Sequence, residues 1–122
     1  MLRLLLLTTL ASSIKVSHCT ATISSMALKS VDFEVFGRVQ GVFFRKYTKQ
    51  QADKLGLRGW CMNTSRGTVQ GQMQGPSDKV DSMMQWLKTT GSPSSKIDKA
   101  EFTHNKDLSD YTFQSFDIRR DD

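Results

Sequence analysis

A glycine-containing loop leads directly into an arginine over residues 36–45, Phe-Gly-Arg-Val-Gln-Gly-Val-Phe-Phe-Arg. Gly37 and Gly41 can adopt positive φ angles and allow close approach of a ligand to the backbone. A helix that begins after the loop would direct the N–H groups of residues 40–44 toward one point, where its dipole favours an anion. Arg45 lies in the first turn, where a cation is unfavourable without a bound anion. The pattern predicts a small-oxyanion site, best suited to a phosphoryl group that Arg45 binds through two oxygens.

The glycines alone do not establish such a site. The loop matches neither G-x-x-x-x-G-K-[ST] nor G-x-G-x-x-G, the two common phosphate-binding patterns. A solvated Arg45 beside a tight turn is therefore the competing structural interpretation.

Asn63 is the second candidate, at the end of a predicted strand and just before a turn. Asn is common at such positions for a structural reason, since its side chain bonds the backbone of the turn. If the sheet places Asn63 beside the glycine loop, its amide oxygen can accept a hydrogen bond from water and its NH₂ group can donate to a phosphoryl oxygen. It would then orient the nucleophile without acting as a base.

The residues required by other routes of phosphate hydrolysis are missing. A cysteine-dependent phosphatase needs a Cys-x₅-Arg motif, whereas only four residues separate Cys61 from Arg66. The histidines are His18 and His104, there is no D-x-D motif, and no cluster has metal-ligand spacing. The leaving group must then depart without a metal or a strong acid, as a carboxylate with a parent pKa of about 4 can do. These observations favour a mixed carboxylic–phosphoric anhydride as substrate, with no cofactor and no metal.

Two segments resemble the signatures of the acylphosphatase family: residues 37–45 and residues 59–69, Gly-Trp-Cys-Met-Asn-Thr-Ser-Arg-Gly-Thr-Val. The similarity extends over roughly residues 28–120, although the Arg120-Asp121-Asp122 end replaces the aromatic residue found in many members. The resemblance implies a ferredoxin-like fold and metal-free hydrolysis of small-molecule acyl phosphates to a carboxylate and phosphate.

The resemblance also implies roles by position. Arg45 would bind the phosphate and Asn63 would orient the attacking water. A backbone cradle for the phosphate would consist of Arg38, Val39, Gln40, Gly41, Val42, Phe43 and Phe44.

The elements that must position these residues alternate between strand and helix patterns. Val31, Phe33 and Val35 alternate with polar residues and predict a strand before the glycine loop, and helical spacing predicts a helix after it. Two short strands joined by a turn, a second helix, and strands over 97–104 and 111–118 follow. This β-α-β-β-α-β order, with the last segment split, predicts an α+β ferredoxin-like sandwich in which two helices pack on one face of an antiparallel sheet.

Residues 1–27 are expected to be a leader or an optional extension, and residues 28–122 to form the domain. The first 30 residues contain no Asp or Glu and include a short apolar run that resembles a signal peptide but is too short to span a bilayer. A mitochondrial address and an alternative start at Met26 remain open alternatives. Cys61 is the single cysteine of the domain, which favours a reducing compartment. We therefore expect a cytoplasmic protein.

The net charge and the aromatic residues of the chain indicate whether nucleic acid is an expected partner. The net charge of +5 is too small to indicate a nucleic-acid surface, and it includes the leader. Phe43 and Phe44 invite comparison with RNA-binding sheets, but the RNP1 pattern is not matched. A second alternative is a regulatory protein that binds an anion without hydrolysing a substrate. Such a protein has no evident need for a water-orienting amide at Asn63, so Asn63 favours an enzyme. We expect a monomer that acts on a small-molecule acyl phosphate, without nucleic acid and without stable membrane association.

Overall fold

Five strands and two helices form residues 27–120, the part of the chain that the computed structural model describes. Their bounds are β1 (Leu28–Arg38), α1 (Phe44–Leu55), β2 (Arg58–Asn63), β3 (Val69–Pro76), α2 (Ser77–Thr89), β4 (Lys96–Leu108) and β5 (Phe116–Ile118). The predicted ferredoxin-like order is confirmed. Apart from Ala27, the predicted leader lies outside the described residues.

The strands form one sheet in the order β4-β1-β3-β2-β5. The pairs β1–β4, β1–β3 and β2–β3 are antiparallel, as predicted, but β5 pairs with β2 in parallel. The sheet is therefore mixed. The reason is the path of the segment before β5, which crosses from the β4 edge and hydrogen-bonds to β3, where the Thr112 N–H donates to Gln74 Oε1 at 3.0 Å.

The last two strands differ in length from those predicted. β4 continues to Leu108 because the backbone of His104, with φ of 52°, absorbs a register shift against β1 and lets pairing resume. The predicted strand over 111–118 is reduced to Phe116–Ile118, since the residues before it form the crossing segment.

Both helices pack on one face of the sheet. The inward residues of β1 are Val31, Phe33 and Val35, each almost fully buried. Burying a side chain of this size stabilises a fold by roughly 1.5–3 kcal/mol. The helices contribute the facing stripes, Phe44, Thr48 and Ala52 from α1 and Val80, Met83 and Leu87 from α2. Within residues 27–120, neither helix has the length and apolar character needed to cross a bilayer.

This packing places the first turn of α1 against the end of β2. The thiol of Cys61 on β2 lies 3.9 Å from the carbonyl oxygen of Arg45 in the first turn of α1. Because alternate residues of a strand share a face, Asn63 lies on the same side of β2 as Cys61. The end of β2 therefore meets the beginning of α1.

Candidate functional site

A cavity of about 340 Å³ opens beside the start of α1. Its lining residues come from the glycine loop, the first turn of α1 and the ends of β2 and β5: Val39, Gly41, Phe43, Arg45, Lys46, Asn63 and Ile118. The two side chains singled out separately in the sequence, Arg45 and Asn63, thus line one cavity. The contributions of Lys46 and Ile118 were not predicted.

The N-terminus of α1 has the features of an anion site. Its N-cap is Phe43, in the left-handed conformation with φ of 59° and ψ of 24°, and it makes no side-chain cap hydrogen bond. No acidic residue lies in the first turn, which instead contains Arg45 and Lys46. Among the backbone–backbone hydrogen bonds that residues 27–120 make outside their helices and strands, none has its donor in residues 40–44. These donors and the positive end of the helix dipole are available to a ligand.

The predicted cradle is only partly represented in the cavity wall. Val39, Gly41 and Phe43 line the cavity. The side chain of Phe44 is buried in the core, and Val42 packs against that core. Because the cradle is predicted to act through backbone amides, the direction of these side chains does not decide it.

Asn63 presents a buried polar group without a partner. The residue is 8% exposed, and its Oδ1 atom is shielded from solvent and has no hydrogen-bond partner within the described residues. An unsatisfied buried acceptor costs about 1–3 kcal/mol. Since native proteins satisfy nearly all such groups, an orphan acceptor in a cavity wall indicates a site that a water or ligand completes.

The side chain of Gln40 connects the glycine loop to the β2–β3 turn. Its Nε2 atom donates to the carbonyl oxygen of Thr64 at 2.8 Å and to that of Thr68 at 2.9 Å. The loop that carries the free amides is thereby tied to the turn that follows Asn63. Sequence reasoning considered only the backbone of Gln40 and missed this contact.

Behind Asn63, a chain of hydrogen bonds ends on a carboxylate. The hydroxyls of Thr64 and Thr68 are 2.6 Å apart, and the Thr68 hydroxyl donates to Glu34 Oε2 at 2.6 Å. Because the Thr68 proton is committed to Glu34, the Thr64 hydroxyl must donate to Thr68. The N–H groups of Arg66 and Thr68 in turn donate to the Thr64 hydroxyl. Bonds that end on a charged acceptor are stronger than neutral ones, so the turn is firmly held.

The charge at the end of this chain is stabilised. Burial acts to raise the pKa of Glu34, but hydrogen bonds from Thr68 and Arg66 and the positive charges of Arg66 and Lys99 outweigh it and hold that pKa below its ordinary value. Arg66 contributes a 3.0 Å ion pair from Nη2. Glu34 is therefore ionised at neutral pH and remains a hydrogen-bond acceptor.

The other side chains that could act as a nucleophile or hold a metal ion do not line the cavity. Burial raises the pKa of Cys61 to about 12, despite the nearby charges of Arg45 and Lys49, so its thiol is protonated at neutral pH. His104 pairs with Asp32 at 2.9 Å on the sheet. In residues 27–120, no three His, Cys, Asp or Glu side chains are grouped so as to hold a metal ion.

Comparisons with known proteins agree on one family. A family model described as Acylphosphatase matches residues 31–118. The chain is 57% identical over 98 residues to Acylphosphatase-2 of Gallus gallus, covering 80% of this chain and 95% of that protein. It is 56% identical over 96 residues to Acylphosphatase-2 of Homo sapiens, covering 79% and 97% respectively.

Solved structures are also similar. A crystal structure of an acylphosphatase from Bacillus subtilis has a TM-score of 0.69 and 33% identity, covering 75% of this chain and 98% of that one. The structure of an acylphosphatase from Coxiella burnetii has a TM-score of 0.68 and 28% identity, covering 76% and 94%.

Proposed function

We propose that this chain, which belongs to the acylphosphatase family, binds the phosphoryl group of its substrate with Arg45 and uses Asn63 to orient the attacking water. Relatives at 57% and 56% identity and the family match make it an acylphosphatase enzyme. The proposal concerns how the cavity performs acyl phosphate hydrolysis. The observation that carries it is that Arg45, Asn63 and two residues of the glycine loop, Gly41 and Phe43, line one cavity.

Arg45 and the loop amides act on the phosphoryl group. The guanidinium can bind two phosphoryl oxygens side by side, and the amides of residues 40–44 bind the remaining oxygen charge. In the transition state of phosphoryl transfer, negative charge is spread over the three equatorial oxygens. Donors held in place before the reaction stabilise that charge without reorganising, so they lower the barrier.

Asn63 acts on the nucleophile. Its unpartnered Oδ1 can accept a hydrogen bond from the attacking water, while its Nδ2 donates to a phosphoryl oxygen. The water oxygen forms a bond to phosphorus as the bond from phosphorus to the acyl oxygen breaks. The carboxylate leaves with the electron pair, and both protons of the water remain on the phosphate as H₂PO₄⁻.

The leaving group needs neither a general acid nor a metal in this mechanism. A carboxylate with a parent pKa of about 4 is stable at neutral pH as it departs. Positioning and electrostatic stabilisation then provide the catalysis, as phosphoryl transfer generally allows.

Kinetics of the full chain test these roles. With acetyl phosphate and EDTA, we expect phosphate release by the wild type. Arg45→Gln should chiefly raise KM, with Arg45→Lys intermediate because it keeps the charge and loses the bidentate geometry. Asn63→Ala should chiefly lower kcat, by about 10²–10³-fold if its effect matches that of other transition-state donors. Asn105→Ala, an exposed asparagine outside the cavity, is the matched control. Activity that survives both substitutions, or that requires Mg²⁺, would contradict the mechanism.

We also propose that the enzyme acts as a cytoplasmic monomer. Arg45 and Asn63, the two side chains proposed to bind substrate and orient water, line the same cavity within a single chain. The buried thiol of Cys61 is compatible with a reducing compartment. Light scattering of the purified protein and cell fractionation followed by N-terminal mass spectrometry would test the two statements separately.

A further inference from the structure

Two exposed apolar side chains stand at the cavity. Phe43 is 71% exposed and Ile118 is 43% exposed, and both line the cavity. The third large exposed hydrophobic residue among residues 27–120 is Tyr47, one turn further along α1, which does not line it. Single exposed hydrophobic residues are ordinary on protein surfaces. Phe43 and Ile118 are far apart in the sequence, and yet both line the same cavity. A role for the pair in this cavity would explain why both are exposed.

Phe43 is also unfavourable in its backbone conformation. With φ of 59° it adopts the left-handed region, in which a bulky residue is uncommon and Gly or Asn is preferred. Because the ring is exposed, it adds little buried apolar area to the core. Strain of this kind is concentrated at sites where the side chain contacts a ligand.

The cavity has two chemically different parts. The amides of residues 40–44 and the guanidinium of Arg45 match the phosphoryl group and offer nothing specific to an acyl group. Val39, which is almost fully buried, lines the wall together with Phe43 and Ile118. An acyl group attached to a phosphate held by Arg45 has these three apolar side chains available in the same cavity. Apolar walls around a few polar anchors are typical of small-molecule sites.

We infer that Phe43 and Ile118 form an acyl-group subsite that selects acyl phosphates with an apolar acyl group, aromatic or branched aliphatic, over small or anionic ones. The inference rests on the proposed hydrolysis of acyl phosphates at this cavity. It assigns to these two side chains the part of substrate recognition that Arg45 and the amides leave unspecified.

Lys46 is the reason to consider an anionic acyl group as the alternative. Its Nζ atom lies 5.9 Å from the centroid of the Phe43 ring, and the residue is exposed. An exposed ammonium is strongly hydrated and screened by salt, so it contributes little to selectivity. Contacts of an apolar acyl group with Phe43 and Ile118 are not screened by salt. We therefore favour substrates with an apolar acyl group over those with an anionic one.

A substrate panel with the full chain tests the inference. We would measure kcat/KM for acetyl, isobutyryl, benzoyl and 3-carboxypropanoyl phosphate with the wild type, Phe43→Ala, Phe43→Leu, Ile118→Ala and Tyr47→Ala. Comparing ratios between variants cancels the intrinsic reactivity of each substrate. Phe43→Ala should lower the benzoyl-to-acetyl ratio about tenfold, the lower end of what apolar pocket contacts contribute. Phe43→Leu should largely restore the ratio, Ile118→Ala should lower it, and Tyr47→Ala should leave it unchanged.

Inhibition by inorganic phosphate separates the two parts of the cavity. Ile118→Ala should leave the inhibition constant for phosphate unchanged, because phosphate lacks an acyl group and Ile118 lies outside the predicted phosphate cradle. A benzoyl-to-acetyl ratio that Phe43→Ala does not alter overturns the subsite and leaves the hydrolytic function intact. A preference for 3-carboxypropanoyl phosphate that Lys46→Gln removes also overturns it, in favour of an anionic subsite. If the wild type hydrolyses none of the four substrates, the proposed function itself fails.

Discussion

Glu34 illustrates how a residue outside the cavity supports it. The carboxylate accepts from the Thr68 hydroxyl and from Arg66, and these bonds hold the turn that follows Asn63. If the carboxylate is protonated, the Thr68 hydroxyl loses its charged acceptor and the ion pair with Arg66 is lost. The position of Asn63 therefore depends on a charge carried by a different strand.

This arrangement predicts an acid-dependent loss of stability. The pKa of Glu34 is held below its ordinary value of 4.5, so its contribution is fully present above that value and is lost as the pH falls through the lower pKa of the folded state. Glu34→Gln should therefore be less stable than the wild type at pH 7, and the difference should shrink as the pH falls below 4.5. Urea unfolding at several pH values measures this. Asp98→Asn, at another exposed carboxylate on β4, is the control. A difference that stays constant down to the most acidic samples would contradict the role assigned to the charge.

At the level of the elements, the close approach of β1 and β4 constrains the backbone where β1 leads into the glycine loop. Gly37 has φ of 129°, and it lies at a register shift between these strands. A Cβ atom there would overlap the carbonyl oxygen of Lys96 on the neighbouring strand. The requirement for glycine at this position comes from the backbone of β4 as well as from the loop.

Gly37→Ala should consequently destabilise the fold more than the equivalent change in the loop. At Gly41, with φ of 74°, an added Cβ meets nothing within 4 Å, so Gly41→Ala introduces only the left-handed strain of about 1–2 kcal/mol. Gly37→Ala adds to that strain a clash with backbone that cannot rotate away, and should lower the free energy of unfolding by at least about 3 kcal/mol. Urea denaturation of both variants gives the comparison. Equal losses would show that β4 moves easily and does not constrain the loop exit.

For the molecule as a whole, the layer of helices over the sheet isolates Cys61 from solvent. The residue lies on β2 where α1 covers it and is fully buried, and burial raises its pKa to about 12. The thiol can react only when the domain opens.

Alkylation of this thiol should therefore report the opening of the domain. In a Cys19→Ser background, iodoacetamide at pH 8 should modify Cys61 slowly in native protein and rapidly in urea, because the thiolate is the reactive form. Above the ordinary pKa of 9.0 the unfolded thiol ionises and the folded thiol does not, so the free energy of unfolding should fall there. Mass spectrometry follows the modification. Equally fast labelling of native and unfolded protein would contradict the burial of Cys61.

Several features were determined by the sequence alone. The alternation of Val31, Phe33 and Val35 is enough to specify a half-buried strand, because side chains of a strand alternate between two faces. The helical spacing after the glycine loop specifies α1 in the same way, and the order of the elements specifies the ferredoxin-like fold. Arg45 could be singled out because a cation in the first turn of a helix is unfavourable without a bound anion. Asn63 is common before a turn for a structural reason, and it became a candidate through the hydrogen bonds its amide can make and through the family resemblance.

The tertiary structure alone decided which residues meet. It placed Arg45 and Asn63 at one cavity, added Ile118 through a parallel fifth strand, and directed Gln40 to the carbonyl oxygens of Thr64 and Thr68. Local patterns arise from the geometry of neighbouring residues in the chain, so they are visible in the sequence. Contacts between distant segments depend on strand register and on the paths of loops, and these are set only when the whole core packs.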